Sequence, residues 1–245
     1  MDHSAALLRE NDRLVTLIRD APSDTPVPTC PGWTLRNLVT HVGRGDRWAA
    51  TIARERSTGP VDIRTVADGK PPADAAQWLA DGARLLLDGV ASAGPDTPVW
   101  TFTGPQPASW WIRRRLHECA VHRADTALAL GEPYTPEPEQ AADGVSEWLT
   151  LLAARPAAAG PPPLEDGSTL HLHATDDGLG EAGEWMIRTA DGRVSWEHGH
   201  AKGTTAVRGP ATDLLLALTR RIPADRVQVL GDASAFDTWL DRTGF

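Results

Sequence analysis

Apolar residues recur at helical spacing as far as about residue 154 and alternate in twos from about residue 168 onward. The change falls on Arg155-Pro-Ala-Ala-Ala-Gly-Pro-Pro-Pro163, a run too rich in proline to continue a helix or to enter a central strand. A helix buries a stripe and a strand buries one face, so the two halves need different layers to cover their apolar surface. The expected organisation is therefore a helical domain at 1–155, a Pro/Ala-rich linker at 156–167 and a small α+β domain at 168–245.

Five amphipathic segments precede the linker. They cover residues 3–20, 34–56, 75–90, 108–130 and 138–154, and two long irregular stretches rich in proline and glycine separate them at 21–33 and 94–107. Thr34 is a natural N-cap for the second segment, and Gly131 is a natural left-handed stop for the fourth. Trp100 and Phe102, in the second irregular stretch, are expected to lean over a cavity. Such a pattern predicts an all-α bundle of four or five helices. Beyond the linker, strands are expected at 169–175, 184–189, 193–196, 204–208 and 227–230, with Asp191-Gly192 as a hairpin turn and helices at 213–220 and 233–240.

Charge narrows the function. The chain has 245 residues, with 33 acidic against 24 basic, and a net charge of −9 argues against nucleic acid or an anionic membrane as partner. No stretch has the composition of a secretory signal or a bilayer span, so a cytoplasmic monomer or homodimer acting on small molecules is the expectation. The two cysteines, Cys30 and Cys119, make no disulfide framework and read as small buried residues.

The stretch from Trp111 to Asp125 carries the chemistry. Glu118 and His122 are four residues apart, which on a helix stacks a carboxylate and an imidazole one turn apart on one face. A third ligand must come from another helix, and His41 is the candidate because it shares an inward face with Leu38 and Trp48. Two imidazoles and one carboxylate leave coordination positions open, as catalytic sites do. Zn²⁺ suits this set, with Ni²⁺, Fe²⁺ and Mn²⁺ compatible by ligand type. Asp125, one turn after His122, either orients a ligand imidazole or pairs with Arg123 or solvent. His117 points about 100° away from Glu118 and is not expected to ligate. His171 and His173 share a strand face, and His198 and His200 repeat that spacing in a loop, but neither pair has an acidic or thiol partner at diagnostic spacing.

Pro28-Thr-Cys-Pro-Gly-Trp-Thr-Leu-Arg-Asn-Leu-Val-Thr-His41, together with His117-Glu-Cys-Ala-Val-His-Arg-Ala-Asp125, resembles the mycothiol-dependent maleylpyruvate isomerase family, part of the DinB-like metalloenzymes. Gly209 to Arg220 and Val229-Leu-Gly-Asp232 are similar to that family's C-terminal domain, whose shape is like that of sterol-carrier proteins. The resemblance implies a DinB-like four-helix bundle followed by the small α+β domain. It puts a divalent metal on His41, Glu118 and His122, and it implies mycothiol as thiol cofactor. It also implies a substrate-binding arginine, for which Arg220 is the best match and Arg221 its neighbour. The expected activity is activation of a low-molecular-weight thiol for isomerase or S-transferase chemistry on a small electrophilic acid such as maleylpyruvate. A metal-dependent hydrolase and a non-catalytic binder of small ligands are the alternatives.

Overall fold

Capping fixes where the helices begin. In the computed structural model, which describes residues 1–156 and 160–244, the Asp2 carboxylate accepts from the Ser4 and Ala5 amides and starts α1 (His3–Ile18). Thr34 and Asn37 form a reciprocal capping box at the start of α2 (Leu35–Arg54), and Asp74 caps α3 (Ala75–Ala93). The fourth long helix, α4 (Trp110–Leu130), ends where Gly131 takes a left-handed φ of 71°. The long stretch before α4 is not wholly irregular. Two-residue strands β1 (Pro98–Val99) and β2 (Gln106–Pro107) pair antiparallel there, with their prolines at the outer ends where no donor is needed.

Contacts divide the chain into Met1–Tyr134 and Thr135–Phe245. The first unit holds α1 to α4 around one core that includes Leu7, Leu14, Leu38, Leu79, Leu86, Trp111 and Leu116. Polar ties thread this core. Glu10 on α1 is fully buried and takes the Arg123 guanidinium of α4 at 2.6 Å, while Asn11 donates to the Leu79 carbonyl of α3. Gly43 on α2 has no alternative, because a Cβ there would sit 2.2 Å from the Trp78 ring of α3.

The division lies upstream of the Pro-rich run where the sequence reading set the boundary. Helix α5 (Pro138–Ala153), counted by that reading with the bundle, puts Ala141, Val145, Trp148, Leu149 and Leu152 into the core of the second unit. An amphipathic stripe requires an apolar partner without specifying which one. Of the expected linker, Ala157, Ala158 and Ala159 lie outside the described residues.

The second unit is a five-stranded sheet in the order β5-β4-β3-β6-β7, built from β3 (Thr169–Ala174), β4 (Glu184–Ala190), β5 (Arg193–His198), β6 (Thr205–Gly209) and β7 (Gln228–Gly231). Neighbours run antiparallel except β3 and β6. Asp191 and Gly192 both take positive φ and close the β4–β5 hairpin. Leu170, Leu172, Trp185, Ile187 and Val207 share a core with α5, α6 (Ala211–Leu218) and α7 (Ala233–Thr243). The Trp185 indole donates to Ser146 on α5. By alternation His171, His173 and Glu184 stand on the opposite face of the sheet.

Candidate metal centre

Helix α4 owes its position against α2 to a buried ion pair. The Arg115 guanidinium donates to Asp46 Oδ1 at 2.8 Å and to the Val42 carbonyl at 2.9 Å, and both side chains are nearly inaccessible. The helices come this close because Gly45 lacks a side chain, since a Cβ there would lie 2.7 Å from that same guanidinium. Arg115 is one turn before Glu118, and Asp46 is just over one turn after His41. The ion pair therefore sets the register that brings His41 of α2 opposite Glu118 and His122 of α4.

The three expected ligands do converge. His41, Glu118 and His122 each offer a donor atom, and these atoms lie within 4.8 Å of one another. His41 Nε2 is 3.1 Å from Glu118 Oε2, and His122 Nε2 is 3.6 Å from the same oxygen. Bonds of about 2.0–2.2 Å to a common ion seat tetrahedral donors roughly 3.3 Å apart, so small side-chain rotations suffice. His41 is 42% exposed and Glu118 20%, whereas His122 is 9%, so the group opens to solvent on the α2 side.

Charge around Glu118 favours its ionised form. Burial works to raise its carboxyl, and Arg114, His122, His41 and Arg115 together outweigh burial and hold the group well below the usual carboxylate range. Arg114 bonds Oε1, and Arg115 reaches Oε2 at 3.5 Å. Around His122 the balance is similar: burial opposes the protonated ring, but Asp125, Cys30 and Glu118 outweigh it and push the imidazole up to about 10. The surroundings of His122 thus favour positive charge on its ring.

Asp125 settles between its two readings. Its Oδ2 lies 2.9 Å from His122 Nδ1, and Thr29 donates to Oδ1 at 2.6 Å. Cys30 points its sulfur at Oδ2 from 3.5 Å. A carboxylate accepting the Nδ1–H turns Nε2 toward Glu118 and His41, so that a metal displacing the Nε2 proton would find that nitrogen in place, which is how an aspartate orients a ligand imidazole. Cys30, His122 and Asp125 also form a group with metal-ligand spacing, but it engages the opposite ring nitrogen. Trp33 closes one side, its ring centroid 5.2 Å from that of His41 and 6.1 Å from that of His122. The roles of Thr29, Cys30 and Trp33 were not readable in advance, although all three lie in the Pro28–Trp33 stretch that carried the resemblance.

Other expected residues lie elsewhere. Cys119 is buried and Cys30 half-buried, and neither is in a disulfide. His117 is buried and outside the group. Trp100 and Phe102 join Trp48, Trp110 and Trp111 in an aromatic cluster, with Phe102 53% exposed. A groove of about 510 Å³ beside α2, lined by Ile18, Leu35, Val39, Arg44 and Lys70 among others, contains none of the three donors. Arg220 stands in the second unit past the end of α6, not within it, with φ 60°, exposed, and donating to the Asp241 carbonyl at 3.0 Å. Arg221 donates to the Thr219 carbonyl.

A second cluster departs from the sequence reading. His171, His173 and His200 gather on Glu184, the acidic partner that linear spacing did not reveal. His198 falls at the end of β5 and turns instead to the Glu184 backbone carbonyl at 3.0 Å.

A family model described as the mycothiol maleylpyruvate isomerase N-terminal domain matches residues 4–127, and the MDMPI C-terminal domain matches residues 139–238. The crystal structure of the mycothiol-dependent maleylpyruvate isomerase superposes with TM-score 0.54 at 17% identity, over 93% of this chain and 90% of that one. A crystal structure of a histidine-to-alanine variant of that enzyme gives 0.52 at 16% identity over the same shares. At such identities the likeness is one of fold: a helical N-terminal region followed by a small sheet-containing one. No curated protein matches the sequence.

Proposed function

The chain belongs to the mycothiol maleylpyruvate isomerase family, and on that premise we propose that it is a thiol-dependent isomerase using a divalent metal ion held by His41, Glu118 and His122. The observation that carries this reading is the gathering of three donors from two helices around one point that is open to solvent on one side. The donor set fits a Zn²⁺-like ion with vacant positions. Held by His41, Glu118 and His122, the ion would lower the pKa of a thiol bound beside it; the thiolate would add to one carbon of the cis double bond, the bond left single would rotate, and expulsion of the thiol would restore the double bond in the trans form.

The protein's own groups prepare the site for that chemistry. Glu118 is kept ionised by Arg114 and Arg115, so its oxygen is available as a ligand over the whole physiological range. Asp125 accepts a hydrogen bond from His122 Nδ1–H and so aims Nε2 at the point where a metal would displace its proton. Thr29 and Cys30 hold Asp125 in place. Trp33 excludes water from one flank of both imidazoles, and the exposed side of His41 is where thiol and substrate enter. Arg220 is proposed to serve the substrate carboxylates, which requires it to exchange the Asp241 carbonyl for substrate.

Turnover of maleylpyruvate by the purified chain tests this. It is expected to need both mycothiol and metal, to fall to background after chelation and to return with added Zn²⁺. Turnover that proceeds without thiol and releases a hydrolysis product would overturn the isomerase reading.

A further inference from the structure

We infer that the second unit carries its own divalent-metal site, formed by His171, His173, Glu184 and His200, which ties the loop at 199–204 to the sheet. It is independent of the centre in the first unit, because no residue is shared.

Three separate segments converge here. His171 and His173 are two apart on β3 and so point the same way, and Glu184 of β4 is the direct cross-strand partner of His173. His171 Nε2 lies 2.6 Å from Glu184 Oε2, and His173 Nδ1 lies 2.6 Å from Oε1. His200 then comes in from the loop after β5, its Nδ1 3.1 Å from Oε1. All four donors lie within 4.8 Å of one another. The loop is pressed onto the sheet at Gly203, where a Cβ would lie 2.8 Å from the Thr205 carbonyl and 3.1 Å from the His171 amide nitrogen.

The donor count decides the type of site. Three imidazoles and one carboxylate supply four protein donors, enough to fill a tetrahedron without water as structural zinc sites do, whereas catalytic sites keep a position open. Two of the imidazoles and the carboxylate are held by the strand ladder before any ion arrives. The third is on a side chain 75% exposed, whose single hydrogen bond to a carboxylate in contact with water secures little by itself. An ion bonded to all four supplies that missing attachment.

The experiment isolates this unit by removing His122, which belongs to both donor groups of the first unit. Full-length His122→Ala, stripped with chelator and checked for folding by circular dichroism, is titrated with Zn²⁺. One equivalent is expected to bind, and none to a His122→Ala/His173→Ala/His200→Ala variant. Amide exchange through residues 199–204 is read alongside: Zn²⁺ at about ten times its Kd should slow it about tenfold in the first variant and not in the second. Both added substitutions are at positions with solvent access, so strand pairing should survive them. A His122→Ala chain that takes up no Zn²⁺, or a triple variant that still binds it, overturns the proposal. Failure of the isomerase assay leaves this result untouched.

Discussion

The two histidine–carboxylate clusters use the same donors and differ in how the chain delivers them. In the first unit, Glu118 and His122 are four apart on one helix, and His41 comes from another helix placed by the Arg115–Asp46 pair. In the second, His171 and His173 are two apart on one strand, and Glu184 is set opposite by the ladder itself. Three donors with an exposed histidine leave room for a reacting molecule, whereas four donors close around an ion. Helix packing is adjustable and strand register is not, so the first cluster depends on how two helices seat against each other, whereas the second depends on strand register and on the loop that brings His200. On the two proposed readings, donor count and delivery, not ligand type, separate a catalytic site from a staple.

The largest expected effect breaks the comparison outright. Glu118→Gln should abolish thiol-dependent turnover and the metal of the first unit, while one equivalent of Zn²⁺ remains in the second. Metal content and activity on the same preparation check it, and loss of both equivalents would show the clusters to be coupled. Next, Arg115→Met leaves Asp46 buried without its partner, which costs about 3–5 kcal/mol. Hydrogen exchange should show faster opening of α2 and α4 with β3 and β4 unchanged, and uniform destabilisation of both units would contradict the separate placement of the sites.

A smaller effect sharpens the contrast. Asp125→Asn removes the carboxylate that fixes the His122 tautomer and should weaken metal binding in the first unit about 10–100-fold, leaving the second unit's affinity as it was. Competition against a chromophoric chelator measures both. The smallest effect concerns acid. Asp232 caps α7, and hydrogen bonds from the Ser234 hydroxyl and amide hold its carboxyl below the ordinary value of 3.8. A depressed carboxylate stabilises the fold fully above its unfolded pKa and loses that contribution as pH falls through its folded pKa. Acid titration of the second unit should therefore show a late weakening below pH 3.8 that Asp232→Asn lacks, with no matching change in α2 or α4.

Much of this was legible because it is local. Caps, stops and periods are written within a few residues, so the helix ends at Thr34 and Gly131 and the hairpin at Asp191-Gly192 fall where composition puts them. The pairing of Glu118 with His122 follows from helical geometry alone. The allegiance of α5 was not legible, since its apolar stripe fits either core until Trp148 and Ser146 are seen against the sheet. Nor was Glu184, which is eleven residues beyond His173 and meets it only through antiparallel register.

By itself, then, the sequence determined most of the elements, the two periods and the stacking of Glu118 with His122, because each rests on neighbours along the chain; that His41 meets this pair is a matter of helix packing. Only the tertiary structure decided which core claims α5, that Asp125 turns to His122, and that His171, His173 and His200 share one carboxylate. Those are meetings of residues distant in sequence, and their distances depend on how helices pack and strands register, which no short-range pattern encodes.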